Sequence, residues 1–483
     1  MICNKSPVTG LHKIGWQVDG TARTQRADKP HITPGNDCDE KHRPLAIPDI
    51  HRHPGNHLNS GVSPMLTTIP GLLDAVRARF AHVDSCPFSG PRVFFENAGG
   101  ALTLKAVVET SGLYAAIPDN QGRDNPASKA LMSAIDKAKA NMRLFFNAPS
   151  GQVFVGESGT EVLFRLVRTA AMGADPGGIL LSTTLEHPAS RSAMARWAEV
   201  TGRAHVLVPH DDATGCVTVA DYLPFITPDV RVATIVHTSP VTGMAVDVGA
   251  IAAAIRKVAP SCFIIVDGIQ HASHGAVDIS ALGLDGYAIS PYKVFSRHGY
   301  GVGWASDRLT SCTKETVIGG PATSWEMGTR DTGAYATFTD VVDYLVWLGG
   351  HFTKSDDPRS RLEAAAMAIH DHEHALADAM VNGTGNLRGL KDIPGLHIIG
   401  GADNARREGV VSVWLDGTPS EEAVTYLNDR GIRTHTRKAD HYSGNVLSPL
   451  GLKDCVRVSF SHYNSMAEVA QFLTAMNEFT SAQ

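Results

Sequence analysis

No apolar run in this chain approaches the ~20 residues needed to cross a bilayer as a helix, and the first twenty residues lack the apolar stretch of a secretory signal. Cysteine is sparse. Seven are scattered from Cys3 to Cys455 among 483 residues, with no CxxC pair, which argues against a disulfide framework or a zinc knuckle. Basic residues are not in excess: 43 Lys and Arg face 49 Asp and Glu, a net charge of −6. A general nucleic-acid binder needs a basic surface to meet phosphate, so that class is disfavoured. No internal repeat is visible. What is present is a 43% hydrophobic chain, long enough for two or three structural units and a large core. The expectation is a soluble, cytoplasmic protein with no membrane and no nucleic-acid partner.

Residues 1–62 read as a polar, flexible N-terminal arm, rich in Pro, Gly, Asp, Asn, Arg and His. His51, His53 and His57 lie close together there. Pro54 and Gly55 fit no ligand-holding helix or strand, so a solvated arm is favoured over a metal site. Asp19, Asp28, Asp37, Asp39 and Glu40 speak against a transit peptide. Residues 63–345 form the expected large domain. Leu72, Leu73, Val76 and Phe80 recur at helical spacing over 70–82, and this 63–92 segment is a candidate to pack on a smaller domain. A short apolar strand ending in a turn follows over 92–100. Strand-like runs GQVFVG, GGILLST, AHVLVP, RVATIVHTS, CFIIVDG and DGYAIS then alternate with amphipathic stretches. That is the pattern of a mostly parallel sheet covered on both faces. Residues 346–483 read as a smaller C-terminal α+β domain, opening with a long helix.

Ligands of such sheets bind beyond the carboxyl ends of the strands, which directs attention to polar residues there. Gly156, Ser158, Gly159 and Thr160 follow one strand and open a helix; they suit a phosphate or form an ordinary N-cap. His187 follows another strand, and Ser239 lies in the polar turn HTSPVTG. The strand CFIIVDG delivers Asp267, with Gln270 three residues on. A carboxylate so placed is costly unless it meets a cation. Lys293 follows the strand DGYAIS, with Ser290 and Tyr292 beside it; by itself it would also suit a surface salt bridge. Thr329 and Arg330 occupy a Gly-Thr-Arg turn before a helix, where Arg330 has Asp331 and Glu326 as nearby partners. Jointly these groups suit pyridoxal 5'-phosphate, which needs a lysine for a Schiff base, a carboxylate opposite the pyridine nitrogen and a phosphate cup.

From about Arg92 to Phe479 the chain resembles the class V aminotransferase and cysteine desulfurase superfamily of fold-type I pyridoxal-phosphate enzymes. FFENAGG, which contains Asn97, is similar to the opening Asn-Ala turn of that family. VDGIQHASHG resembles its Asp-Gly-x-Gln stretch, SPYKVF its Schiff-base lysine segment, and VRVSFSHYN the strand that supplies a carboxylate-binding arginine. The resemblance implies the fold-type I architecture: a mostly parallel sheet of the seven-stranded type in a large domain, plus the smaller α+β domain. It implies Lys293 as the Schiff-base residue and Asp267 at the pyridine nitrogen. Gln270 would face the phenolic oxygen, and His187 would stack on the ring. Gly159, Thr160, Ser290 and Tyr292 would contact the phosphate. Thr329 would reach the neighbouring subunit's phosphate, which implies a homodimer with shared active sites. Arg457 would bind the substrate α-carboxylate through a two-pronged contact. Asn97, Ser239, His271 and Arg330 are secondary candidates, with His271 and His274 read equally as substrate contacts or as a structural turn.

The departures narrow the chemistry. Tyr292 stands where many members have His, and Ser239-Pro240 where many have Asn. Desulfurases of the family carry sulfur on a loop Cys, but the matching stretch THTRKADHYSGNVLSPLGLKD has none. Cys455, two residues before Arg457, reads as a small buried apolar residue inside a strand. The favoured expectation is therefore a lyase or desulfurase-like elimination on a small amino acid, without a loop persulfide. The alternative is a class V aminotransferase. Lesser alternatives are an epimerase, with Tyr292, His298 or His441 as a second proton donor, and a non-catalytic cofactor-binding subunit. No metal is expected.

Overall fold

Buried runs alternating with amphipathic stretches fold as a sheet covered by helices. The computed structural model describes residues 66–403 and 405–482; the polar arm, with His51, His53 and His57, lies outside them. The central sheet contains β1 Gln152–Gly156, β2 Ile179–Thr183, β3 Ala204–Val208, β4 Val230–Val236, β5 Phe263–Asp267, β6 Gly286–Ile289 and β7 Gly301–Ala305. Its order is β1-β7-β6-β5-β4-β2-β3. Strands β2 to β6 pair in parallel, and β7 runs antiparallel to both its neighbours. Gly156, Thr183, Val236, Asp267 and Ile289 consequently end their strands on one edge of the sheet.

Strand periodicity divides the core between the two faces. Val232, Phe263, Ile265 and Ala288 pack with Val162, Leu166 and Met194, which belong to helices α3 and α4 as defined below. Ala233, Ile235, Ile264, Val266 and Ile289 join the opposite cluster. The principal helices are α1 Lys105–Ala115, α2 Pro126–Phe146, α3 Gly159–Gly173, α4 Pro188–Thr201, α5 Val248–Val258, α6 Thr332–Gly349, α7 Pro358–Asn382, α8 Ser420–Asp429 and α9 Met466–Ser481. Side chains start them where the sequence signals it: Ser158 caps α3, His187 caps α4 and Asp247 caps α5. Truncating a fully buried strand residue such as Ile265 to Ala would cost about 2–5 kcal/mol. No helix among the described residues is long and apolar enough to cross a membrane.

Two local expectations need correction. The helix over 70–82 is shorter, spanning Leu72–Arg77. Phe80 instead forms a bridge with Leu104, and the Ala81 N–H donates to Thr103 O at 2.9 Å, which draws the chain out of the helix. Its apolar side chains join the sheet-covering cluster, while Arg77 donates to Tyr463 O at 2.6 Å. Strand β7 had no counterpart in the periodicity. Its glycines explain why: a Cβ on Gly303 would meet the Phe154 ring and Val162, so one face of the strand admits no side chain there, while Val302 and Trp304 pack on the other.

A second, antiparallel sheet contains β8 Leu396–Ile398, β9 Val410–Leu415, β10 His435–Lys438 and β11 Asp454–Ser459, in the order β8-β9-β11-β10. Val411, Val413, Val456 and Val458 pack on one face against residues of α7, α8 and α9. The alternate residues Ser412, Cys455 and Arg457 therefore occupy the other face. The IRTHT run divides in two. Ile432–Arg433 pairs in parallel with Val93–Phe94, and His435–Lys438 pairs with β11.

Candidate active site

Asp267 closes β5 and is 3% exposed. Its Oδ1 accepts from the Ile269 N–H at 3.1 Å and its Oδ2 from the Ser190 hydroxyl at 3.2 Å. Burial pushes its pKa up against the opposing pull of the Ile269 N–H and Lys293. No cation among the described residues comes within ion-pair distance of it. Lys293 sits in the single turn Pro291–Lys293 that follows β6. Its Nζ donates to Gln270 Oε1 at 3.2 Å. Burial, followed by repulsion from Arg457, lowers its pKa to about 7, with Asp267 opposing the shift. An appreciable share of the amine is therefore neutral and nucleophilic near neutral pH.

Gln270 is held from behind. Its Nε2 lies 3.0 Å from His274 Nε2, and His274 Nδ1 lies 2.7 Å from the Glu373 carboxylate of α7. His271 turns elsewhere: its Nδ1 lies 3.0 and 3.1 Å from the two Glu408 oxygens, and its ring stacks on His237 at 3.6 Å between centroids. Both histidines are thus committed to internal carboxylates.

His187 stands at the end of α4, where its Nδ1 accepts from the Ala189 N–H at 3.2 Å. Burial, with Lys293 and Arg437 nearby, lowers its pKa to about 3. The ring is neutral at ordinary pH, as a stacking partner for a heteroaromatic ring should be. Asn445 Nδ2 donates to Thr184 O at 2.6 Å and to Glu186 O at 3.3 Å, tying the 440s segment across this strand end. Glu186 had no signal in the sequence beyond its neighbour His187. It is fully buried, and its Oε1 accepts from the Val236 N–H at 2.7 Å. Burial, and then the Asp267 charge, push its pKa up to about 8.

Gly159 and Ser290 meet where α3 begins beside the end of β6. A Cβ on Gly159 would collide with Ser290 Oγ and Ile269 Cδ1, so this approach requires glycine. Ser158 caps the helix through the Glu161 N–H at 3.1 Å, and Thr160 is exposed in the first turn. The Tyr292 ring stacks on His298 at 4.3 Å and would lie 3.3 Å from a Cβ on Gly100. Thr329 occupies an exposed turn. Arg330 pairs with Glu157. The partners suggested by sequence proximity are engaged elsewhere: Asp331 with Arg297, and Glu326 with Lys139 at 3.0 Å.

Arg457, on β11, is 3% exposed. Its Nη1 donates to Pro240 O at 3.1 Å, while its buried Nε has no partner among the described residues. Burial and the nearby Arg437 lower its pKa to about 10. Ser239 Oγ accepts from the Val241 and Thr242 N–H groups at 3.3 and 3.2 Å, which holds the turn carrying Pro240. Asn97 acts as a clasp. Its Nδ2 donates to Ser459 O at 2.9 Å and Phe94 O at 3.1 Å, and its Oδ1 accepts from the Tyr463 hydroxyl. Cys455 is fully buried, and burial pushes its thiol up to about 12.

This donor set fits pyridoxal 5'-phosphate. A buried amine, a buried carboxylate with no internal cation, an amide, a neutral imidazole and a glycine-walled helix start beside a serine hydroxyl converge on one sheet edge. The comparisons agree. The family model "Aminotransferase class-V" matches residues 93–354 and 359–472, and the chain belongs to that family. It is 26% identical over 414 residues to a Vibrio cholerae protein named "Probable cysteine desulfurase", covering 84% of this chain and 98% of that one. A protein of the same name from Mycolicibacterium paratuberculosis is 25% identical over 421 residues, 83% of this chain and 57% of its relative. The fold matches a cysteine desulfurase structure from Thermococcus onnurineus with a TM-score of 0.70 at 20% identity, over 81% of this chain and 95% of that one. The protein is therefore a fold-type I, cysteine desulfurase-like enzyme dependent on pyridoxal 5'-phosphate.

Proposed function

We propose that this enzyme catalyses a lyase or desulfurase-like elimination on a small amino acid, with no persulfide carried on a loop. The observation that carries it is the pairing of the Lys293 amine, lowered to about 7, with a 434–450 segment that contains no cysteine. Cys455, on the neighbouring strand, is held as an unreactive thiol by burial. Lys293, Asp267, Gln270 and His187 would hold the cofactor, with Gly159, Thr160, Ser290 and Tyr292 at its phosphate. When bound, the cofactor supplies an electron sink for the pair left at the substrate α-carbon. Arg457 binds the α-carboxylate and fixes the substrate's orientation. Lys293 removes the α-proton as general base. The bond from Cβ to its substituent then breaks, the substituent leaving with the electron pair, and water releases a keto acid and ammonia. Asp267 would face the pyridine nitrogen of the bound cofactor and favour its protonated form. In this scheme residues 63–345 hold the cofactor and 346–483 supply the substrate arginine. The exposed Thr329 turn would complete the phosphate site of a second copy in a homodimer.

The test follows the visible band of the loaded enzyme while cysteine or alanine is added, with pyruvate, ammonia, sulfide and keto acid assayed. A band that returns unaided while ammonia and a keto acid accumulate supports elimination. A stable amine-form spectrum, reversed only by added keto acid, would establish the aminotransferase reaction and overturn elimination.

A further inference from the structure

The strand β10 carries four polar side chains in sequence from His435, and their partners differ. His435 shares the Glu96 carboxylate, 3.2 Å away, with Arg433 at 2.7 Å. Lys438 lies 3.6 Å from Glu421. Arg437 is different. Among the described residues its side chain has no hydrogen bond and no ion pair; its buried Nε is unpartnered, and its ring contact is with Tyr442 at 5.8 Å. Asp440, its nearest acidic influence, accepts instead from the Tyr442 N–H at 2.8 Å.

Register places this guanidinium. Arg437 pairs with Cys455 and His435 with Arg457 across β10 and β11. Directly paired residues share a face, as do residues two apart on one strand. Arg437 and Arg457 are thus diagonal neighbours on the face opposite the helix-packed valines. Both also act electrostatically on Lys293, and Arg437 acts on His187 as well, so the two cations converge on the cofactor-binding edge. Two neighbouring, incompletely paired guanidinium groups repel each other until anions arrive. The α-carboxylate answers only one of them.

Resting on the amino-acid chemistry proposed above, we propose that Arg437 is a specificity-determining residue that binds a second carboxylate, carried by the side chain of an amino-acid substrate whose β-substituent is the leaving group; aspartate and glutamate carry such a carboxylate without a leaving group and serve as its binding probes. Arg457 takes the α-carboxylate, Arg437 takes the distal one, and Cys455 lies between them as an inert floor.

The experiment titrates the loaded enzyme with aspartate, asparagine, glutamate and glutamine, reading the visible band. In parallel, the melting temperature is followed with succinate and its monoamide, which need no chemistry. The wild type is expected to bind each acid at least about tenfold more tightly than its amide. Arg437→Gln is expected to abolish that preference while leaving amide binding within about threefold, and Arg437→Lys to restore part of it. The aspartate and glutamate titrations identify the preferred chain length. Equal affinity for acid and amide in the wild type, or a preference that survives Arg437→Gln, overturns the proposal. A band that responds to no amino acid overturns the proposed elimination instead. The succinate titration then still decides the carboxylate site, and absence of a succinate shift overturns it. The intensity of the cofactor band verifies that each variant is folded and loaded.

Discussion

The carboxylate of Glu373 lies 2.7 Å from Nδ1 of His274, and both side chains are buried. Burial opposes charge on the imidazole, yet the Glu373 carboxylate holds its pKa above the ordinary value. The pair stands behind Gln270, whose other end meets Lys293. Helix α7, through Glu373, thereby fixes an amide at Lys293.

Breaking that pair should be felt in stability and in the site together. Glu373→Ala leaves a buried imidazole unpaired and should lower stability by about 3–5 kcal/mol. The measurement is urea unfolding of the loaded enzyme. An unchanged midpoint would mean that the pair does not hold Gln270 in place.

Lys293 should govern cofactor capture through its proton. Its pKa in the folded chain lies near 7, below the ordinary value of 10.5. The rate at which added cofactor develops its visible band should therefore rise with pH, with a midpoint near 7. Because the unfolded chain keeps this proton to higher pH, the contribution of Lys293 to apoprotein stability grows as pH rises from about 7 toward 10.5. Lys293→Met should form no band and should raise the apoprotein's urea midpoint at pH 6.

Glu186 makes the opposite contribution. Its folded pKa, about 8, lies above the ordinary 4.5, so the neutral carboxyl stabilises fully below 4.5, and this stabilisation is lost as pH rises through 8. Glu186→Gln keeps the shape without the ionisation. The variant should differ little from wild type at pH 5 and be more stable at pH 9, by a few kcal/mol in order of magnitude. Parallel pH profiles for the two proteins would show that Glu186 is already ionised in the folded state.

Cys455 should be dispensable for turnover. Cys455→Ala removes one buried atom, at about 1 kcal/mol of stability, and should leave the rate of product formation within about twofold. The native enzyme should also resist thiol alkylation at this position until it is unfolded. A large loss of turnover with full cofactor loading would instead make Cys455 a participant in sulfur chemistry.

Much of the site was legible in the chain because strand periodicity announces where each strand ends. Runs such as CFIIVDG and DGYAIS are buried on both faces, so the first polar groups after them, Asp267 and Lys293, must lie at the sheet edge. Elements without that periodicity were harder to read. Strand β7 is glycine-rich because its neighbours approach one of its faces too closely for side chains at Gly301 and Gly303. The 70–82 helix stops early because Phe80 bonds to a segment its own periodicity cannot reveal.

Local sequence alone determined the parallel strands of the sheet, several of the helices that cover it, and which lysine and carboxylate stand at its edge, since those follow from short-range alternation of apolar and polar residues. Only the tertiary structure decided which charges are neutralised. Glu373 and His274 are 99 residues apart, Arg330 meets Glu157 rather than its sequence neighbours, and Arg437 shares its face with Arg457 through strand register. The physical reason is that an ion pair depends on separation in space and on removal from water, and neither quantity is carried by position along the chain.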